Sequence, residues 1–428
     1  MIPISKSPLN SLSKPGFLLF CFVAIGIGLS YQPIARTPLD EILRSNRQQL
    51  KPVIKHPDRY RLQIIYTQID RDAQNKPSFA TYRFHQNDNI YFYPASSVKM
   101  PTAFVALEKI NNLHVQGLNR ETPMFTNADR VPQTAETQDT SAAHGLPSVA
   151  QYIRRIFAIS DNDAYNRLYE FVGQRALNQI LYDKGFGHTR ITCRLDAPQF
   201  LPLDNQITNA VYFQDQGQVL YSQGQVQSQW IAPDLNLNEE MQGNGSIDQD
   251  GELIDQPFDF SQKNYISLET LHDVLKTVLF PESAPENQRF NFTEDDYRFL
   301  YRCMGSFPRE FVHPHYDPRT YPDNYMKFLG YRGDSAMIPP YVRIFNKVGE
   351  AYGYLTDVAY VVDFEHKVEY LLAATLMVNA NGIFNDGVYE YDTIGLPFLA
   401  HLGQAVYQFE LSRHRDHVPD LSRFAIDF

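Results

Sequence analysis

Ser96 and Lys99 stand three residues apart in the stretch Tyr93-Pro94-Ala95-Ser96-Ser97-Val98-Lys99-Met100-Pro101, where an apolar helical pattern begins. That pattern runs through Phe104, Val105, Leu107 and Ile110, so the hydroxyl and the amine fall on one face of a first helical turn. A serine hydroxyl is a poor nucleophile at neutral pH and needs a neighbouring base. A lysine amine desolvated beside other cations loses its proton and serves as one. Free backbone N–H groups at the helix start would stabilise an oxyanion forming beside Ser96. An isolated S-x-x-K is also the pattern of an N-capping serine followed by a solvated lysine. The chemistry therefore needs partners elsewhere in the chain.

Stepping outward from this turn, Arg61 to Ile69 and Ser78 to Phe84 read as two strands that lead into the Ser96 helix, with a polar loop containing Asp70, Asp72 and Asn75 between them. Thr37-Pro38 caps a short amphipathic helix carrying Leu39, Ile42 and Leu43. The polar stretch from about 111 to 146 predicts loops or short helices. Ser148 then caps a helix whose apolar positions Val149, Ile153, Ile156 and Phe157 point Ser160 to the same buried side. Ser160-Asp161-Asn162 interrupts the pattern, which resumes from Ala164 to Val172 and stops at Gly173.

The segment from about 208 to 263 is rich in Gln, Asn, Asp and Gly, and predicts a hairpin around Gly217 within a long surface insertion. Helices follow Ser267 and the capping-box sequence at Thr293. The Tyr-, Phe- and Pro-rich stretch from Phe307 to Tyr341 has no clean period and predicts a surface wrap. Val342 to Lys347, Thr356 to Phe364 and Val368 to Met377 are three strand-like runs, and Phe398 to Phe409 closes as an amphipathic helix. The expected architecture is α/β (α+β): one antiparallel sheet formed from both chain ends and flanked by helices, with a mostly helical lobe inserted. The sheet lobe would take about 37–110 and 340–428, the helical lobe with its insertion about 111–339, with a cleft between them.

The 428 residues carry a net charge of -11, which argues against a nucleic-acid groove. Lys6 and Lys14 precede an apolar run from Phe17 to Leu29, so residues 1–30 read as a cleaved export signal or, alternatively, an uncleaved membrane anchor. Either places the remaining chain, 31–428, in the periplasm or outside the cell. Cys193 and Cys303 are then a possible disulfide or two buried thiols. His313-Pro314-His315 with Asp317 suits a surface loop better than a metal site, and neither metal nor cofactor is expected.

Three short motifs stand in order: Ser96-Ser97-Val98-Lys99, Ser160-Asp161-Asn162 and Lys347-Val348-Gly349. Together they resemble the class A β-lactamase family of penicillin-recognising serine hydrolases. Ser160-Asp161-Asn162-Asp163-Ala164-Tyr165-Asn166 is similar to that family's signature, including a second Asn that ties down the neighbouring loop. Tyr352-Gly353-Tyr354-Leu355-Thr356-Asp357-Val358-Ala359 is similar to its strand after the third motif. The resemblance covers about 58–200 and 340–410.

It implies that Ser96 attacks a carbonyl and becomes acylated, with Lys99 as the base. Ser160 would pass a proton to the leaving nitrogen, Asn162 would hold the substrate's side-chain amide, and Lys347 would lend positive charge to a substrate carboxylate. Gly349 and Glu350 would border the substrate, and the Ser96 and Glu350 N–H groups would form an oxyanion hole. The substrate implied is a β-lactam or a cell-wall peptide, acted on by a monomer. Two departures stand out. Val348 replaces the usual Thr or Ser, which implies a weaker hold on a substrate carboxylate. The family's deacylating Glu has no match in Ala197-Pro198-Gln199-Phe200-Leu201, which leaves Asp204 as the nearest carboxylate. A slow lactamase, a D,D-peptidase-like enzyme and a non-hydrolytic envelope-binding protein are thus the alternatives.

Overall fold

The computed structural model describes residues 36–230, 232–331 and 337–428, so the stretch 1–30 read as an export signal or membrane anchor lies outside the described residues. Five strands form the main sheet: β1 (Gln63–Arg71), β2 (Pro77–Phe84), β3 (Val342–Ala351), β4 (Tyr354–Asp363) and β5 (Val368–Met377). Their order is β3-β4-β5-β1-β2, with every neighbouring pair antiparallel. Both chain ends therefore build one sheet, as the hydrophobic pattern predicts. The turn Tyr352-Gly353 joins β3 to β4 with both residues at positive φ, 55° and 79°, the two-residue hairpin geometry that matches strand twist.

Alternation along the strands divides the core into two clusters. On one face Ile64, Tyr66, Val348, Leu355, Leu372 and Ala374 pack with Leu39, Ile42 and Val53 of the N-terminal helices and with Leu399 and Leu402. The last two belong to a closing helix, Leu396–Ser412, longer than the pattern predicts. On the other face Ile65, Phe345, Val358, Tyr360 and Ala373 meet Leu271, Val274 and Leu275 of the helix Leu268–Leu279. This second cluster continues into α1 (Lys99–Leu113), α2 (Val149–Ile159) and α3 (Asn162–Val172), the helices that carry the first two motifs.

The caps read from sequence are present. Thr37 accepts from the Asp40 N–H at 3.1 Å, Ser148 from that of Gln151 at 3.1 Å, and Thr293 from that of Asp296 at 3.1 Å. The hairpin around Gly217 forms from Val211–Asp215 and Gln218–Gln223.

The insertion and the 307–341 stretch depart from the surface placement expected of them. Phe260 of the insertion is fully buried. Its ring meets those of Tyr93, Tyr352 and Phe384 at centroid distances of 5.9, 5.6 and 5.2 Å. Gly245–Ile247 pairs with Ile383–Phe384, which ties the insertion to the C-terminal part of the chain. In the second stretch Phe307, Phe328 and Leu329 join the core, and Lys327 is 2% exposed. These segments bury aromatic rings without helical or strand periodicity, so their burial leaves no regular pattern in the sequence.

Candidate active site

Residues Ala95–Val98 form a single 3₁₀ turn that runs directly into α1, whose first residue is Lys99. Residues three apart eclipse in a 3₁₀ turn, so Ser96 and Lys99 share a face more closely than a regular α-helical start provides. Ala95 enters the turn at φ +47°, a strained value for a residue with a Cβ. The turn is braced by Ser97, whose hydroxyl and N–H both donate to the Pro94 carbonyl, at 2.7 and 3.0 Å. Ser96 itself is half-buried.

β3 lies against this turn. A Cβ on Gly349 would sit 2.3 Å from the Pro94 carbonyl oxygen and 3.2 Å from the Ser97 nitrogen, so only glycine permits the approach. Because 347 and 349 share a strand face, that contact also aims Lys347 at the same space.

Ser160 ends α2 in the left-handed conformation, φ 62° and ψ 41°, and so leaves the helical face that its spacing predicts. The following residue, Asp161, caps α3 by accepting from the Ala164 N–H at 2.9 Å, and is held by Arg155 at 2.9 Å. This sharp reversal places the Ser160 hydroxyl between two amines. The Lys347 Nζ lies 2.7 Å from it and the Lys99 Nζ 3.3 Å. Lys99 also donates to the Ser160 carbonyl and, at 2.6 Å, to Asn162 Oδ1. Lys347 also donates to the Val348 carbonyl at 2.9 Å.

Both lysines are buried, at 0% and 3% exposure. Burial pushes the Lys99 ammonium down to about 7, while Asp161 and Asp196 pull it back up. Burial also drives Lys347 well below the ordinary lysine range, helped by Lys99 and opposed by Asp357. Two amines facing one hydroxyl in a dry site disfavour a second proton, so the pair holds a base and an acid within reach of one relay oxygen.

The structure thus joins Lys99, Ser160, Asn162 and Lys347 by direct hydrogen bonds, and seats the Ser96 turn against Gly349. Glu350 follows on β3, opposite Leu355, with an exposed side chain. Val348 points to the opposite face of the sheet, 2% exposed and inside the apolar cluster. Its side chain therefore does not face the space shared by Lys99, Ser160 and Lys347, and the expected loss of a substrate-facing hydroxyl is corrected.

Asp161 and Asp196 are the carboxylates that act on Lys99, and the sequence reading passed over Asp196 in looking further along the chain. The Asp196 Oδ2 accepts from Asn162 Nδ2 at 3.4 Å. The loop that carries it is fixed on both sides. Asn166 exchanges hydrogen bonds with Leu195 at 2.8 and 3.0 Å, and Arg194 forms a buried ion pair with Glu170 at 2.8 Å. Asp196 adopts φ +52°, in the left-handed region. Asp204 instead pairs with Arg130 at 2.9 Å and accepts from the Leu201 N–H at 3.2 Å. The sequence signal was the position directly after Arg194-Leu195, filled by a shorter acid than the Glu sought.

Cys193 and Cys303 are both unpaired thiols, and burial pushes Cys303 up to about 12. Among the described residues no three His, Cys, Asp or Glu side chains are grouped to hold a metal ion, and no helix is long and apolar enough to cross a membrane.

An antiparallel sheet with a serine–lysine turn, a Ser-Asp-Asn reversal and a lysine-bearing edge strand is a class A β-lactamase-like fold. Residues 46–228 match the Beta-lactamase enzyme family. Similar solved structures include a β-lactamase from Xanthomonas campestris pv. campestris str. ATCC 33913, at 16% identity and TM-score 0.45 over 87% of this chain and 98% of that one. A β-lactamase from Sphaerobacter thermophilus DSM 20745 is similar at 11% identity and TM-score 0.46, over 87% and 97%. PBP-A is similar at 16% identity and TM-score 0.46, also over 87% and 97%. No curated protein matches the chain in sequence.

Proposed function

We propose that the chain is a serine hydrolase that opens a β-lactam or a related cell-wall acyl amide through an acyl-Ser96 intermediate. The observation that carries this reading is the Ser160 hydroxyl held between the Lys99 and Lys347 amines. Lys99, with its proton affinity brought down to about 7, takes the Ser96 proton as the oxygen attacks. Ser160 relays a proton to the leaving nitrogen, and Lys347 supplies positive charge when a substrate carboxylate arrives. Asn162 offers its amide to the substrate's side chain. The Ser96 and Glu350 N–H groups take the oxyanion, which Gly349 allows by bringing β3 against the Ser96 turn.

Asp196 is the water-activating base of the second step. Its carboxylate is one methylene shorter than a Glu and engaged with Asn162, which supports slow deacylation and a long-lived acyl-enzyme. The same observation favours a second reading, a penicillin-binding D,D-peptidase whose natural peptide is released by another route. In either case the protein works outside the cytoplasm as a monomer, exported or anchored by its N-terminal segment.

Intact-mass measurement after incubation with penicillin tests the reading. The wild type should gain the mass of one penicillin and Ser96→Ala should gain none. An unmodified wild type, or an adduct that survives Ser96→Ala, overturns it.

A further inference from the structure

Lys327 is a buried lysine that the proposed reaction does not use. It lies in the 307–331 segment and runs along β3, the edge strand of the main sheet. Its ammonium donates to the Met304 carbonyl at 2.8 Å, to the Ile344 carbonyl at 2.8 Å and to Asn346 Oδ1 at 2.7 Å. Three acceptors match the three N–H donors of a protonated lysine.

The network continues. Asn346 donates to the Met326 carbonyl at 2.8 Å and to Asp357 Oδ1 at 2.7 Å. Asp357 Oδ2 accepts from the Phe328 and Leu329 N–H groups at 3.1 and 3.0 Å. Asn346 and Asp357 are 3% and 0% exposed. Asp357 pairs across the sheet with Val348, so the network occupies the face opposite Lys347.

Desolvating a lysine and an aspartate is costly, and the hydrogen bonds of this network offset that cost. Burial lowers Lys327 to about 7 and lifts Asp357 to about 6. Both groups hydrogen-bond Asn346, the residue that precedes Lys347 on β3. The groups facing Lys347 are Lys99 from α1 and the Ser160 hydroxyl from the α2–α3 turn, while Asp357 of β4 and Lys327 along the edge act on it electrostatically from the other face of the sheet. Those facing Lys327 are Asp357, Arg343 on β3, and Glu310, which Arg343 holds at 2.8 Å.

We propose that Lys327 is a positioning residue for Lys347: it pins the β3 segment that carries Lys347 and, as a buried cation beside that strand, biases Lys347 toward the neutral amine, with Asp357 as the counterweight. The inference rests on reading Lys347 as a substrate-facing group. In the free protein the bias keeps two adjacent ammonium ions from crowding Ser160. An arriving substrate carboxylate favours the ammonium form, and Lys347 takes its proton from Lys99 through the Ser160 hydroxyl, which frees Lys99 as the base, so charge appears at Lys347 only when there is an anion to meet it.

The test follows the Lys347 side chain by lysine-selective NMR of the full chain, with Lys347→Arg used only to assign its signal. Removing the neighbouring cation in Lys327→Gln should raise the Lys347 titration midpoint by about one pH unit, and removing the anion in Asp357→Asn should lower it by a similar amount. A purely structural Lys327 would lower Tm and leave the midpoint where it is, which overturns the proposal. Should Lys327→Gln fail to fold, Asp357→Asn decides alone, and an unmoved midpoint there overturns it equally. Opposite shifts in a protein that penicillin never acylates would uphold this inference while sinking the proposed function.

Discussion

Lys99 and Lys347 reach the same atom, the Ser160 hydroxyl oxygen, from two elements that are far apart in sequence, at 3.3 and 2.7 Å. One stands at the start of a helix and the other in mid-strand, and both are buried. Two ammonium ions on one oxygen repel in a medium that cannot screen them. The site therefore favours one protonated and one free amine, the arrangement that proton transfer through a shared hydroxyl requires.

Acylation should for this reason depend on pH through Lys99. The free amine is the base and its proton affinity sits near pH 7. The second-order rate of penicillin adduct formation, read by intact mass, should climb as pH rises through about 7. Well below that value it should fall about tenfold per unit. A flat profile between pH 5 and 8 contradicts the role of Lys99.

Replacing Asp196 by Asn should leave acylation close to wild type and slow release of the acyl group, by about 10²–10⁴-fold if the carboxylate activates the water. The measurement is adduct decay after excess penicillin is removed. Equal lifetimes in the two proteins would show that Asp196 merely steadies Asn162.

Much of this site was legible in the sequence because it depends on short-range order. S-x-x-K fixes a turn, Ser148 and Gly173 mark helix ends, and alternation along Val342 to Met377 fixes strand faces. The five-stranded sheet follows from the same pattern. What escaped reading was set by tertiary contact. Asp196 earns its place through Asn166 and Arg194 holding the loop, and no local period encodes that. Lys327 sits in an aperiodic run, and its burial depends on carbonyls contributed by Met304 and Ile344. Val348 was read for its missing hydroxyl, when the strand period already assigned it to the face away from Lys347.

The depressed proton affinity of Lys99 also links stability to pH. Its folded value lies near 7 against 10.5 for an ordinary lysine, so between those two values the unfolded chain binds the extra proton. Wild-type stability from this group therefore rises with pH across that window and is constant below it. Lys99→Met removes the group. The variant's Tm minus that of the wild type should be largest at and below about pH 7 and shrink steadily toward pH 10. A difference that stays constant over that range would mean that Lys99 keeps its proton in the folded state.

Val348→Thr introduces the hydroxyl that the third motif lacks relative to the family it resembles, and its effect separates motif from environment. If position 348 faced a substrate carboxylate, the variant would bind and acylate with penicillin faster. The side chain is instead 2% exposed within the apolar cluster that includes Leu355, Leu329 and Leu396. Val and Thr match in shape but not in polarity, and an unsatisfied buried hydroxyl costs about 1–3 kcal/mol. The expected outcome is a loss of stability of that order in denaturant titration, with no gain in acylation rate. A faster-acylating, equally stable variant would mean that β3 presents residue 348 to the substrate after all.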